Sequence, residues 1–216
     1  MSSTRSHVRI ADDRTAETTQ MEAYYLALGR FVHMFARVEL TVFLVLRHYA
    51  GMTLTAARVL LSGIRMDGTQ AMLRRLREVD LIDEAGWMDA DMLLKHLSGI
   101  NKLRNDLLHH TTMLSESGRG IVTNAAKAHR EDKVTQLLVS PDILNGATAD
   151  LRKIMVHLHT RHMGKPPIEE PEVDLILRAP WRYMPQSSLP AESPSPPPKA
   201  RTRNPTPKSP PTPHRG

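Results

Sequence analysis

The sequence predicts an all-α fold: an antiparallel bundle of four to five helices with a short β-hairpin insertion, followed by a disordered C-terminal tail. Three observations predict it. Apolar residues recur every three or four positions over long stretches, the period of a helix with one buried face. The apolar residues are mainly aliphatic, and only 4% of the 216 residues are aromatic, a composition that suits helices more than sheets. Eleven of the sixteen prolines lie between Pro185 and Pro213, where almost nothing apolar accompanies them. Such a segment cannot bury enough surface to offset its ordering entropy.

The spacing predicts a first helix over 18–49, striped by Tyr24, Leu28, Phe31, Phe35, Val38, Val42, Leu46 and Tyr49. Gly51 is its stop signal. A second helix is expected over 55–66, ended by Asp67-Gly68. A third, over 69–79, has Met72, Leu73 and Leu76 inward and Arg74, Arg75 and Arg77 outward. With Arg65, these arginines form either a solvated helix face or an RNA-binding patch. A fourth helix runs from about Asp89 to His110, with the stripe Leu93, Leu97, Ile100, Arg104 and Leu107. The β-branched runs 120–123 and 134–139 predict a hairpin. Ser140-Pro141-Asp142 then starts a last helix, to about His162, with proline just inside its N-terminus.

Four segments follow. Residues 1–17 form a flexible N-terminus and 18–163 the bundle. Residues 164–184 form an extended segment packed on it through Val173, Leu175, Ile176, Leu177 and Trp181. Residues 185–216 form a disordered, polyproline-rich tail. That tail carries five Lys or Arg against one acid, Glu192, so it holds most of the formal charge of +6. A basic tail can hold nucleic acid or acidic surfaces in a salt-dependent way. It could equally be a solubilising extension or a docking tail for a partner.

Several function classes are set aside. There is no cysteine, hence no disulfide framework and no thiolate metal site. Met1–Gln20 is polar and lacks the apolar core of a signal peptide. No apolar run approaches membrane-span length. A cytoplasmic protein is expected. There is no Gly-rich phosphate loop, no Gly-x-Ser-x-Gly elbow and no paired-carboxylate arrangement. His157, His159 and His162 invite a metal reading. However, 157 and 159 face different ways on a helix, and no carboxylate sits at ligand spacing. No metal and no cofactor are expected.

The fourth helix carries the chemistry. Arg104 stands where the apolar stripe calls for Leu or Ile, and burying a guanidinium without a partner is costly. Asn101, Asn105 and His109 are four apart and share a face beside it. Near a helix C-terminus a protonated histidine is favoured. In the structural alternative, Arg104 pairs with Glu39 inside the bundle while His109 is a surface residue.

The segment Arg104-Asn105-Asp106-Leu107-Leu108-His109 resembles the Arg-Asn-x-x-x-His signature of the HEPN superfamily, small helical bundles of prokaryotic defence and toxin systems and of several RNases. The segment from Phe31 to Glu39 is similar to the first helix of some of its families, with an acidic residue in an apolar helix. Arg152 and His157 have the same spacing, but Lys153 follows Arg152 where the signature prefers Asn. The resemblance implies metal-independent RNA cleavage. His109 would act as acid or base at a 2′-hydroxyl or leaving oxygen. Arg104 would stabilise the charged phosphate with its fork, and Asn105 would orient His109 or the phosphate by hydrogen bonding. Glu39, Asn101 and His110 are supporting candidates. It further implies a homodimer with two motifs across one cleft, RNA as partner, and an antitoxin or other protein partner. Some toxin-type members carry a modified tyrosine two positions after the histidine. Here that position is Thr111, which argues against such regulation. The alternatives are a non-catalytic scaffold binding nucleotide or RNA, and an adaptor acting through its tail.

Overall fold

The computed structural model describes the backbone of residues 4–115, 118–164, 172–185 and 189–190, with side chains from residue 19 onward, those of 189–190 excepted. Helices dominate. In order they are α1 (Thr4–Tyr49), α2 (Leu54–Leu61), α3 (Met66–Glu78), α4 (Glu84–His109), α5 (Pro141–His157) and the short α6 (Val173–Arg178). A π-helical turn, Leu158–His162, continues α5.

The stripe on α1 is the spine of the core. Tyr24, Phe31, Phe35, Val38, Val42 and Leu46 are all buried. They meet Leu93, Leu97 and Ile100 of α4 and Leu144, Leu151, Ile154 and Met155 of α5 in one apolar cluster. Burying side chains of this size contributes about 1.5–3 kcal/mol each relative to exposure, before conformational entropy is counted. Local chemistry sets the helix starts. Thr53 accepts from the Ala56 N–H, Asp83 from Gly86 and Ser140 from Ile143, each satisfying an amide that has no partner within its helix.

The fold is mainly helical, but it is not all-α. Strands β1 (Thr111–Leu114), β2 (Gly120–Thr123) and β3 (Thr135–Val139) form an antiparallel sheet. A two-residue strand, β4 (Leu189–Pro190), extends it at the β3 edge. The expected hairpin is the β2–β3 pair, with Gly120 opposite Val139. Strand β1 has no counterpart in the sequence reading. It is four residues long and half exposed, so its period is too short to read.

Other boundaries also differ. Helix α1 begins at Thr4, so residues 4–17 are helical where a flexible N-terminus is expected. The break between α2 and α3 lies at 62–65, where Gly63 takes φ +77°. Asp67 and Gly68 sit instead in the first turn of α3, where an acid complements the helix dipole. The segment expected to be extended contains α6. Ile176 is buried in it, but Leu175 is exposed. Leu189–Pro190 is a strand within the expected disordered tail, and proline there suits an edge. Residues 186–188 and 191–216 of that tail lie outside the described residues. Among the described residues, no helix is long and apolar enough to cross a membrane.

Candidate functional site

Arg104 leaves the apolar stripe of α4 half-buried. Its guanidinium carbon lies 5.5 Å from the centroid of the Phe35 ring, a cation–π placement that shelters one face of the fork. Its Nη1 donates to Asn105 Oδ1 at 3.0 Å. The expected structural alternative, an Arg104–Glu39 ion pair, is not formed among the described residues. Glu39 is half-buried on α1, and the aromatic ring of Phe35 takes the place of a carboxylate. Among the described residues no acid neutralises this cation; a ring lies behind it and an amide beside it, and a guanidinium fork is chemically suited to pair with an anion.

The other motif residues spread around α4. Asn101 is buried, and its Nδ2 donates to Asp67 Oδ1 at 3.2 Å. It braces α3 against α4 and does not extend a polar strip. Asn105 is turned onto Arg104. His109 is exposed at the last position of α4. Five residues at about 100° each place it roughly 140° round the helix from Arg104. His110 caps α4 through its backbone, and its Nδ1 lies 3.6 Å from Asp106 Oδ1. The structure therefore joins Arg104, Asn105 and Phe35, and holds His109 apart from them on the same turn-and-a-half of helix. Of the α3 arginines, Arg74 and Arg75 are exposed, whereas Arg77 is bonded to Asp80 and Glu84.

Two polar clusters lie elsewhere. Asp89, near the start of α4, binds both His157 (Oδ1 to Nε2, 2.8 Å) and His162 (Oδ2 to Nε2, 3.1 Å). His162 Nδ1 lies 2.7 Å from the Tyr49 hydroxyl. With Nε2–H donating to the carboxylate, Nδ1 accepts from Tyr49, so both ring nitrogens of a neutral imidazole are satisfied. Burial pushes the His162 pKa down against the pull of Asp89. Burial, then Asp83 and Asp89, pushes Tyr49 up. Thus a carboxylate does accompany these histidines, from the start of another helix. His159 turns elsewhere, its Nε2 3.5 Å from Thr41 Oγ1. Among the described residues, no three histidine or carboxylate side chains are placed to hold a metal.

The second cluster centres on Asp150 of α5, which is 1% exposed. It accepts from His96 Nε2 at 2.9 Å and from the backbone N–H groups of Arg182 and Tyr183. The His96 ring lies 4.3 Å from that of Trp181, and Lys153 Nζ sits 4.4 Å from the same indole. Beside it opens a cleft of about 350 Å³, lined by Met92, Lys95, His96, Gly99, Trp181 and Pro185. This cleft is not lined by the motif residues. Sequence reasoning singled out His157 and His162 but missed Asp89, and it missed the Asp150 cluster, because the partners come from different helices and nothing in local spacing marks them.

No family model, no curated protein and no solved structure matches this chain.

Proposed function

We propose that this chain is a cytoplasmic, metal-independent endoribonuclease of HEPN type, of the kind found in toxin or phage-defence systems. The supporting observation is Arg104. It is a half-buried guanidinium with no carboxylate partner among the described residues, stacked on Phe35 and flanked by the Asn105 amide. A fork so placed suits a phosphate oxygen pair. Arg104 holds the phosphodiester and stabilises the charge that builds on it. His109, open to solvent at the end of the same helix, takes a proton from the 2′-hydroxyl or gives one to the leaving oxygen. Dependence on that hydroxyl selects RNA over DNA. Because Arg104 and His109 point about 140° apart on one helix, the reaction on this reading uses a homodimer. There, His109 of one copy approaches a phosphate held by Arg104 of the other.

A second reading is a non-catalytic HEPN-like scaffold that binds RNA or nucleotide. It draws on one observation: Asn105 is committed to Arg104, so no described side chain orients His109.

The test is cleavage of a mixed RNA pool by the purified protein in EDTA, with His109→Ala alongside. Cleavage lost in the variant supports the ribonuclease. RNA bound but uncut by folded wild type supports the scaffold. Cleavage that survives His109→Ala moves the acid–base role to another histidine, with His110 the nearest.

A further inference from the structure

Helix α1 has a second apolar stripe. On the face turned away from the core, Tyr25 is 56% exposed, Val32 38% and Leu40 58%. Gly29 and Ala36 are exposed between them, and Phe43 continues the line, half-buried. At about 100° per residue, these six positions fall within a sector of roughly 80°, at spacings of three and four residues like those of a coiled-coil seam. A solvated helix face at these positions would be polar.

From this pattern we infer that the stripe is a self-complementary interface, on which a second copy of the chain packs its own α1 antiparallel. One register serves all six positions to within a residue. About a two-fold axis near residue 34, Tyr25 faces Phe43 of the second copy and Val32 faces Ala36, while Leu40 falls one residue, about 1.5 Å, beyond the point opposite Gly29. Each large side chain thus meets a small one or an aromatic ring, and each contact occurs twice, as an isologous interface requires. Nothing lies within 4 Å of where a Cβ on Gly29 would point, so the space that Leu40 of the second copy would enter is open in the monomer.

Charge selects the same register. Glu22 and Arg47 lie in the same sector of α1, at opposite ends of the stripe, with no ion pair between either and any described residue. Antiparallel pairing in this register sets Glu22 of each copy beside Arg47 of the other. The Arg47 Nε already donates to the Met52 carbonyl at 3.1 Å, which holds its stem in place and leaves the terminal nitrogens for a carboxylate. Arg30 and Arg37 lie roughly 100° further round and stay outside the seam. Phe35, the ring under Arg104, is buried about 100° round α1 from the middle of the stripe, so this pairing leaves both Arg104 regions outside the seam.

In naming the surface of the homodimer, this inference rests on the proposed function. Its test reads mass and not cleavage, so either can fail alone. The full chain is analysed by sedimentation equilibrium over a broad concentration range, with four variants. The wild type should be a reversible dimer. Gly29→Leu, which should raise monomer stability by helix propensity, should weaken dimerisation by about tenfold or more, since it fills the space that Leu40 enters. Glu22→Arg and Arg47→Glu should each weaken it, and the double reversal should restore it toward wild type. A wild type that stays monomeric at every concentration overturns the inference. So does a dimer indifferent to Gly29→Leu, or a double reversal no better than the single variants.

Discussion

Asp150 of α5 lies 2.9 Å from His96 Nε2 on α4 and at the same time accepts the backbone N–H groups of Arg182 and Tyr183 at 2.8–3.1 Å. One buried carboxylate thereby ties α4, α5 and the C-terminal segment together. Lys153 reinforces the tie by donating to the Ala179 carbonyl at 2.5 Å. Asp150→Ala leaves two amides and an imidazole without their acceptor. The cost should be about 3 kcal/mol, read as a lower urea midpoint. His96→Ala removes one arm only and should cost about 1 kcal/mol. If Asp150→Ala costs no more than His96→Ala, the carboxylate does not hold the segment.

The Tyr49–His162–Asp89 chain predicts a pH dependence. The folded-state pKa of His162 lies below the ordinary 6.5, because burial disfavours its charged form. The folded state therefore binds this proton less readily than the unfolded chain. The contribution is fully present above pH 6.5 and is lost as pH falls from there toward the lowered folded value. Urea unfolding at pH 7.5 and at pH 5.5 should show the wild type less stable at the lower pH. His162→Gln should be less stable at pH 7.5 but show a smaller drop between the two. An equal drop in the variant would assign the dependence to other groups.

Tyr24 and Gly120 make a paired prediction. A Cβ on Gly120 would sit 2.5 Å from the Tyr24 hydroxyl, so β2 can lie against α1 only with glycine there. Gly120→Ala should cost about 1–3 kcal/mol by overpacking. The same hydroxyl is buried, with no hydrogen-bond partner among the described residues. Tyr24→Phe should accordingly be neutral or stabilising by up to about 1 kcal/mol. It should also soften the cost of Gly120→Ala in the double variant, as thermal melts would show.

Arg104 separates charge from geometry. Arg104→Lys keeps the charge but loses the fork and the flat face on Phe35. It should weaken RNA binding by about tenfold, a loss of ~1.4 kcal/mol, and Arg104→Ala by more, in filter binding at fixed salt. Binding by Arg104→Lys equal to wild type would reduce Arg104 to a general positive charge.

The sequence by itself determined the long amphipathic helices of the bundle, though not α6 or the first turns of α1, because a helix writes its buried face into a period of three to four residues. The α1 stripe was legible for that reason, the start of α5 through the Ser140-Pro141-Asp142 cap, and the β2–β3 hairpin through its β-branched runs. It also singled out Arg104, since a cation in an apolar stripe is a local contradiction. What met that cation was decided only by tertiary structure. Glu39 was the natural candidate by charge, yet the packing of α4 on α1 brings the Phe35 ring to it instead. Helix winding likewise separated His109 from Arg104, although they stand five residues apart in the chain. His157 and His162 stood out in the sequence as a histidine group, but their link to Asp89, like the whole Asp150 cluster, had no sequence signal, because the members come from separate helices. Their distances follow from how whole faces pack, and no local spacing carries that information.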